Sequence, residues 1–290
     1  MTGTAIAIVS QIAVLNNARA SVSHPEALAK EPMNSDPSVK DVGGIITAVA
    51  GNGTSGFSGD GGPATSASLG GSSGVAVDSA GNLYIADTSN ARIRKVSGGT
   101  ITTVAGGGNS LGDGGPATSA LLSLPSGVAA DSAGNLYMAD TMNQSYGRVR
   151  RVAPNGIIST IAGNGQFHFG GDAGPSRSAS LNRPYGVALD ATGAVYIADT
   201  YNNGGRGFSG DEGPASSASL ALPSAVAVDV VRNIYIADTS NNRIRRVSPG
   251  GAIATIAGTG TPGFSGDGGP AASASLDGPF GIGIPMPGIG

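Results

Sequence analysis

Aspartates at matching positions are the residues through which this chain could do chemistry. Asp60, Asp113, Asp172, Asp211 and Asp267 each stand in a run of the type Gly-Asp-x-Gly-Pro, and Asp87, Asp140, Asp199 and Asp238 each close a run of the type Tyr-x-Ala-Asp-Thr. Carboxylates gathered on one surface can ligate a hard cation, hold a sugar through its hydroxyls or attract a basic partner. A residue repeated in every copy also solves a structural problem that every copy shares. Asp before Gly-Gly-Pro can cap the Ala-Thr-Ser turn that comes after it or bond its own loop backbone, and this structural role is the stronger expectation. The calcium version has little support, because neither Asp-x-Asp-x-Asp spacing nor a Gly-Gly-x-Gly-x-Asp nonapeptide occurs.

Basic residues recur as well: Arg92, Arg94 and Lys95, then Arg148, Arg150 and Arg151, then Arg243, Arg245 and Arg246. Two roles are open to them, RNA contact or pairing with the recurrent aspartates. No aromatic side chain stands among these arginines to stack bases, and the net charge of -3 opposes a polyanion. Pairing is therefore expected, as exposed ion pairs worth roughly 0–1 kcal/mol each.

The other routes to chemistry are narrow. Zero cysteine removes disulfides, Cys-containing zinc sites and thiol catalysis. The two histidines, His24 and His168, are far apart and form no ligand cluster by spacing, and His168 reads as a loop residue packed between Phe167 and Phe169. The serines lack a nucleophile-elbow context. Hence no catalytic residue, cofactor or metal is assigned.

These residues are carried by a unit that repeats at a period of about 50 residues, the signature of a supersecondary element stacked on copies of itself. Val-Ala-Val-Asp-Ser-Ala-Gly-Asn-Leu-Tyr-Ile-Ala-Asp-Thr begins at Val75 and recurs in variant form from Val128, Val187 and Val226. With 50 glycines in 290 residues, no Trp and only 12% charged residues, the composition is that of a turn-dense all-β protein. The first copy holds four β-signals, 74–78, 83–87, 92–96 and 101–105, which predict one antiparallel four-stranded blade. Gly81 and the Gly98-Gly99 pair supply the positive φ that the two tight hairpins need. Tyr84, Tyr137, Tyr196 and Tyr235 are expected in the packing between blades, with their hydroxyls on backbone partners. Arg232 replaces the turn glycine of Gly81, Gly134 and Gly193, so keeping the same conformation costs on the order of 1 kcal/mol.

The strings Gly-Val-Ala-Val-Asp, Asn-Leu-Tyr-Ile-Ala-Asp-Thr, Asn-Asn-Arg-Ile-Arg-Arg-Val and Thr-Ile-Ala-Gly-Asn-Gly resemble NHL repeats over roughly residues 43–284. The Phe-Ser-Gly-Asp-Gly-Gly-Pro-Ala insert resembles the long-repeat bacterial and teneurin-like members of that family. The resemblance implies a β-propeller, usually six-bladed, used mainly as an interaction platform. In such a blade the loop from second to third strand and the connection into the next blade share a face, so all nine aspartates would line it. Some NHL-like propellers are lyases with histidine-built metal sites, and some NHL modules bind RNA.

The array is irregular. The interval from Asp199 to Asp238 is shorter than the two before it, because Asn203 runs straight into Gly204-Gly-Arg-Gly-Phe208 and the third copy loses its last two strands. Ile45–Ala50 reads as a lone fourth strand and Phe280–Ile284 as a lone first strand. The expected domain is thus an incomplete propeller over 43–284 with three full blades, one half blade and terminal single strands, ending in a tail at 285–290. Unpaired blade edges predict self-association. Residues 1–42 read as a leader and spacer. Ala5–Leu15 is mostly apolar and Ala18-Arg19-Ala20 fits a signal-peptidase site, yet no basic residue precedes the run, so a secretory signal and an unstructured leader both stay open. The run is too short to span a bilayer. The resulting expectation is a non-enzymatic scaffold binding a protein or carbohydrate ligand, with a propeller hydrolase or lyase and an RNA-binding module as alternatives.

Overall fold

The structure, a computed structural model, describes residues 5–8, 11–16, 45–142, 147–166, 170–202 and 207–284. The first predicted blade forms as β4 (Val75–Val77), β5 (Leu83–Asp87), β6 (Arg92–Ser97) and β7 (Thr100–Gly106), paired antiparallel in that order. The second is β8 (Pro125–Ala130), β9 (Leu136–Asp140), β10 (Arg148–Val152) and β11 (Ile158–Ala162). Among the described residues the third copy contributes a two-stranded sheet, β12 (Pro184–Leu189) and β13 (Val195–Asp199). The fourth is complete, with β14 (Ala225–Val228), β15 (Ile234–Asp238), β16 (Arg243–Val247) and β17 (Ile253–Ala257).

The turn chemistry accounts for the hairpins. In the first blade Asp78 Oδ1 accepts the amides of Ala80 and Asn82, and Gly81 closes the turn at φ 80°. Gly98 and Gly99, at φ 54° and 78°, make the tight connection from β6 to β7. The first strands β4, β8, β12 and β14 then pack side by side. That packing needs Gly74, Gly127 and Gly186, where a Cβ would run into the backbone at Ser126, at Tyr185 and Gly186, and at Ser224 and Ala225.

Blades bury their faces against one another. Ile93 and Ala105 from the third and fourth strands of the first blade pack on Leu122, Val128, Leu136 and Met138 of the second. Val149 and Ala162 do the same against Leu181 and Val187 of the third. Each Gly-Asp-x-Gly-Pro insert that precedes a complete blade lies along that blade's outer strand. Gly61 N–H donates to Ile101 O (2.8 Å), Ile101 N–H returns to Gly62 O (3.0 Å), and Pro116 and Pro214 bridge Ile157 and Ala252 in the same way.

Both termini depart from expectation. Ile45–Ala50 (β3) is not single, because β1 (Ala5–Ile8) and β2 (Gln11–Asn16), inside the stretch read as a leader, pair with it in the order β1-β2-β3. The open edge of β3 is an available template, and β2 fills it. Phe280–Ile284 forms no strand. Instead the Pro279 and Phe280 carbonyls accept hydrogen bonds from Thr239 and Ser224 of the fourth blade. The rest of 1–42 and the 285–290 tail lie outside the described residues. No helix among the described residues is long and apolar enough to cross a membrane.

Candidate functional site

In each complete blade one arginine of the third strand grips two of the recurrent aspartates. Arg94 donates from Nη1 to Asp87 Oδ2 (3.2 Å) and from Nη2 and Nε to Asp60 Oδ1 (2.7 and 3.1 Å). Arg150 joins Asp140 (3.4 Å) to Asp113 (2.8 Å), and Arg245 joins Asp238 (3.4 Å) to Asp211 (2.7 Å). The three arginine side chains and Asp87, Asp140 and Asp238 are all 0% exposed, whereas Asp60, Asp113 and Asp211 sit at the rim with 38, 36 and 31% of the side chain exposed. These pairs are therefore not the weak exposed bridges that charge patterning suggests. The insert supplies one carboxylate from above, the end of the second strand supplies the other from below, and the guanidinium is sealed between them.

Each guanidinium also donates to the insert backbone, at Ser58 O, Leu111 O and Ser209 O. Phe57 covers Arg92 and Arg94, with guanidinium carbons 3.9 and 4.8 Å from the ring centroid, and Phe208 covers Arg243 and Arg245 at 3.7 and 4.7 Å. Aromatic partners for these arginines thus come from the inserts, not from the third strand where sequence neighbours would place them. The insert aspartate does not cap its own turn either. The turns at 64–66, 117–119 and 215–217 begin at Pro63, Pro116 and Pro214 without a side-chain cap, and Asp60 Oδ2 instead takes the Thr103 hydroxyl (2.7 Å).

The third copy has no third strand among the described residues, and its aspartates lack this arginine. Asp199 accepts the Asn182 amide and the Asn202 side-chain amide, both at 2.7 Å, just as Asp238 accepts Ala221 N–H (2.7 Å) and Asn241 Nδ2 (2.8 Å). Burial drives Asp199 up to about 6 against these two donors, with no described cation paired to it. Burial also raises Asp238, where Arg245 and the hydrogen bonds oppose it. Asp172, on the insert before the third copy, is exposed. Asp267 is exposed too, beside Phe264 at 85% exposure, since no described third strand comes after that insert. The sequence-predicted ring is thus divided: six of its members bind arginines, while Asp172, Asp199 and Asp267 pair with none among the described residues.

A cavity of about 610 Å³ opens beside Asp199, between the edge of β13 that pairs with no described strand and the facing wall of the fourth blade. Among the described residues no three His, Asp or Glu side chains come together to hold a metal ion. His24 and His168 lie outside the described residues.

Two further sets of polar residues escaped the sequence reading. Asp78, Asp131, Asp190 and Asp229 organise the first hairpins, and the Tyr84, Tyr137, Tyr196 and Tyr235 hydroxyls donate to them (3.0–3.3 Å) and not to backbone. Burial and the Asp78 carboxylate push Tyr84 up to about 12. Asp190 is held down to about 2, first by the Thr192 hydroxyl and also by Arg232, which keeps φ 69° and lies 3.4 Å away across the blade boundary. Thr88, Thr141, Thr200 and Thr239 donate to the carbonyls of Pro125, Pro184, Pro223 and Pro279 (2.7–2.8 Å), stitching each copy to the next segment of chain. The Asp-Thr dipeptide in every copy was the available signal.

Four-stranded antiparallel sheets stacked by their faces, with first strands side by side, define a protein built from β-propeller blades. Residues 73–96 match the NHL repeat family model. Teneurin-4 of Homo sapiens and of Mus musculus are each 33% identical to it over 93 residues, which is 29% of this chain and 3% of theirs. Solved structures that it resembles include virginiamycin B lyase from Staphylococcus aureus (19% identity, 64% of this chain and 55% of that one, TM-score 0.39). They also include a gluconolactonase from Xanthomonas campestris (14%, 72% and 64%, 0.46) and an auxiliary nutrient binding protein from Bacteroides thetaiotaomicron (16%, 82% and 56%, 0.47).

Proposed function

We propose that this chain is a non-enzymatic binding scaffold, and that its ligand is basic. The observation behind this reading is the division of the aspartates. Where a blade is complete, the carboxylates are neutralised by a buried arginine and serve the fold. Asp172, Asp199 and Asp267 have no such arginine among the described residues, so a cationic ligand gains most there. The same burial of Arg94, Arg150 and Arg245 argues against an RNA module, because the guanidinium groups at the centre of each basic cluster cannot reach a phosphate.

The test is an array of basic peptides, neutral glycans and RNA, probed at low and physiological salt. Basic peptides should be retained, with affinity falling as salt rises. Asn in place of Asp172, Asp199 or Asp267 should reduce retention without lowering the melting temperature. Retention of neutral glycans alone, or of RNA with an arginine dependence, would overturn the proposal.

A further inference from the structure

The cavity beside β13 has the shape of a missing part. In the first pair of blades, Leu122, Val128, Leu136 and Met138 are buried, with Ile93 and Ala105 of the preceding blade against them. The same positions in the fourth blade are Leu220, Val226, Ile234 and Ile236, and all are only half-buried and face the cavity. A third and fourth strand after β13 would cover them. The opposite wall is β13 itself, Tyr196 to Asp199, which pairs with β12 on one edge and with no described strand on the other.

The polar end of the cavity is equally incomplete. In the other three copies the carboxylate that closes the second strand meets a guanidinium from the third, two register positions in from its start: Ile85 opposite Arg94, Met138 opposite Arg150, Ile236 opposite Arg245. Opposite Ile197, the matching residue, there is no described strand. Asp199 lies there without a counter-charge among the described residues, and Asp172 stands exposed on the insert that would supply the upper carboxylate.

We propose that the β13 edge accepts a β-hairpin from a partner polypeptide, whose first strand places an apolar residue against the fourth-blade wall and an arginine next to it between Asp199 and Asp172. The pattern is the one this chain uses in its own third strands, Arg-Ile-Arg and Arg-Val-Arg. The added strand gains main-chain hydrogen bonds from the open edge, the arginine gives specificity, and the apolar wall leaves water. This rests on the scaffold reading and narrows it to one edge of one blade.

A labelled peptide with the sequence of residues 241–257, this chain's own third and fourth strands, is the probe. Titrated with the full-length chain, it should bind, and Gln in place of the arginine equivalent to Arg245 should weaken it at least tenfold. Asp199→Asn in the chain should weaken it similarly, whereas Asp267→Asn should not. Since the chain has no cysteine, Ser217→Cys on the cavity rim and a cysteine-bearing peptide give a second readout that does not depend on an interior substitution. The mixed disulfide should form with the arginine peptide and be lost with the glutamine one. No binding at millimolar peptide, binding indifferent to Asp199, or a rim cysteine that instead links two copies of the chain would each overturn the proposal. Basic peptides whose retention depends on Asp267 alone would do so while leaving the scaffold reading intact.

Discussion

The first and third copies of the repeat begin with the same two strands and differ in the chain that comes after them. In the first, Leu83–Asp87 is completely buried, and Asp87 is neutralised by Arg94 from the strand beside it. In the third, Val195, Tyr196 and Ile197 are half-buried and Asp199 is held by two amide donors. An aspartate in the same sequence context is thus a closed structural element in one copy and, among the described residues, has no counter-charge in the other. The lesson is that the role of a repeated residue is set by its non-local partner. Asp87 lies seven residues from Arg94, but the carboxylate that seals the guanidinium, Asp60, lies 34 residues away in sequence.

Breaking the first copy so that it resembles the third should have the largest effect. Arg94→Met leaves Asp87 buried without a counter-charge, and a loss on the order of 3–5 kcal/mol is expected in chemical denaturation. Adding Asp87→Asn should recover part of it. A loss below about 1 kcal/mol would mean that the pair behaves as a surface bridge.

The third copy, whose Asp199 pairs with no arginine among the described residues, should show this as a dependence on pH. The folded state holds Asp199 near 6, above the ordinary 3.8, so it favours the protonated form. Its contribution is present at low pH and is lost as pH rises through about 4 to 6. Relative to Asp199→Asn, the wild-type chain should lose on the order of 2 kcal/mol across that window. Parallel stability profiles for the two proteins would show that Asp199 is already compensated.

The threonine stitches sharpen the comparison by being indifferent to it. Thr88→Val and Thr200→Val each remove one hydrogen bond to the next blade, and each should cost about 1 kcal/mol in thermal unfolding, whether the blade is complete or not. A markedly larger cost at Thr200 would mean that the half blade depends on its neighbour more than the full one does.

The smallest effect is expected at Ala91, which sits at φ 53° before β6, where the fourth copy has Asn242 at φ 51°. Ala91→Asn should stabilise by about 0.5 kcal/mol, because Asn tolerates that conformation better. An unchanged melting temperature would place the strain elsewhere.

Much of this fold was legible because each copy repeats its own turn chemistry. Gly81, the Gly98-Gly99 pair and the β-rich runs between them specify the blade locally, and the short interval after Asp199 marked the copy that shows two strands among the described residues. The burial of Arg94, Arg150 and Arg245 was not legible, since a strand reading Arg-Ile-Arg-Lys looks like a solvated face until the insert folds over it. The same distance effect hid the Phe57 and Phe208 contacts. Strands β1 and β2 were missed because an apolar run at a chain start carries two meanings, and pairing with β3 is a long-range event. For the candidate site, the sequence marked the short interval after Asp199 but not that Asp199 and an apolar wall face one cavity.

Native-state amide exchange of the free chain, read strand by strand, tests the contrast most directly. Residues 136–140 of β9 are flanked by strands on both edges and should exchange only near global unfolding. The amides in 195–199 that face away from β12 should exchange orders of magnitude faster, and slow when the hairpin peptide is added. Equal protection of β9 and β13 in the free chain would contradict the account, because it would mean that the third copy is already complete.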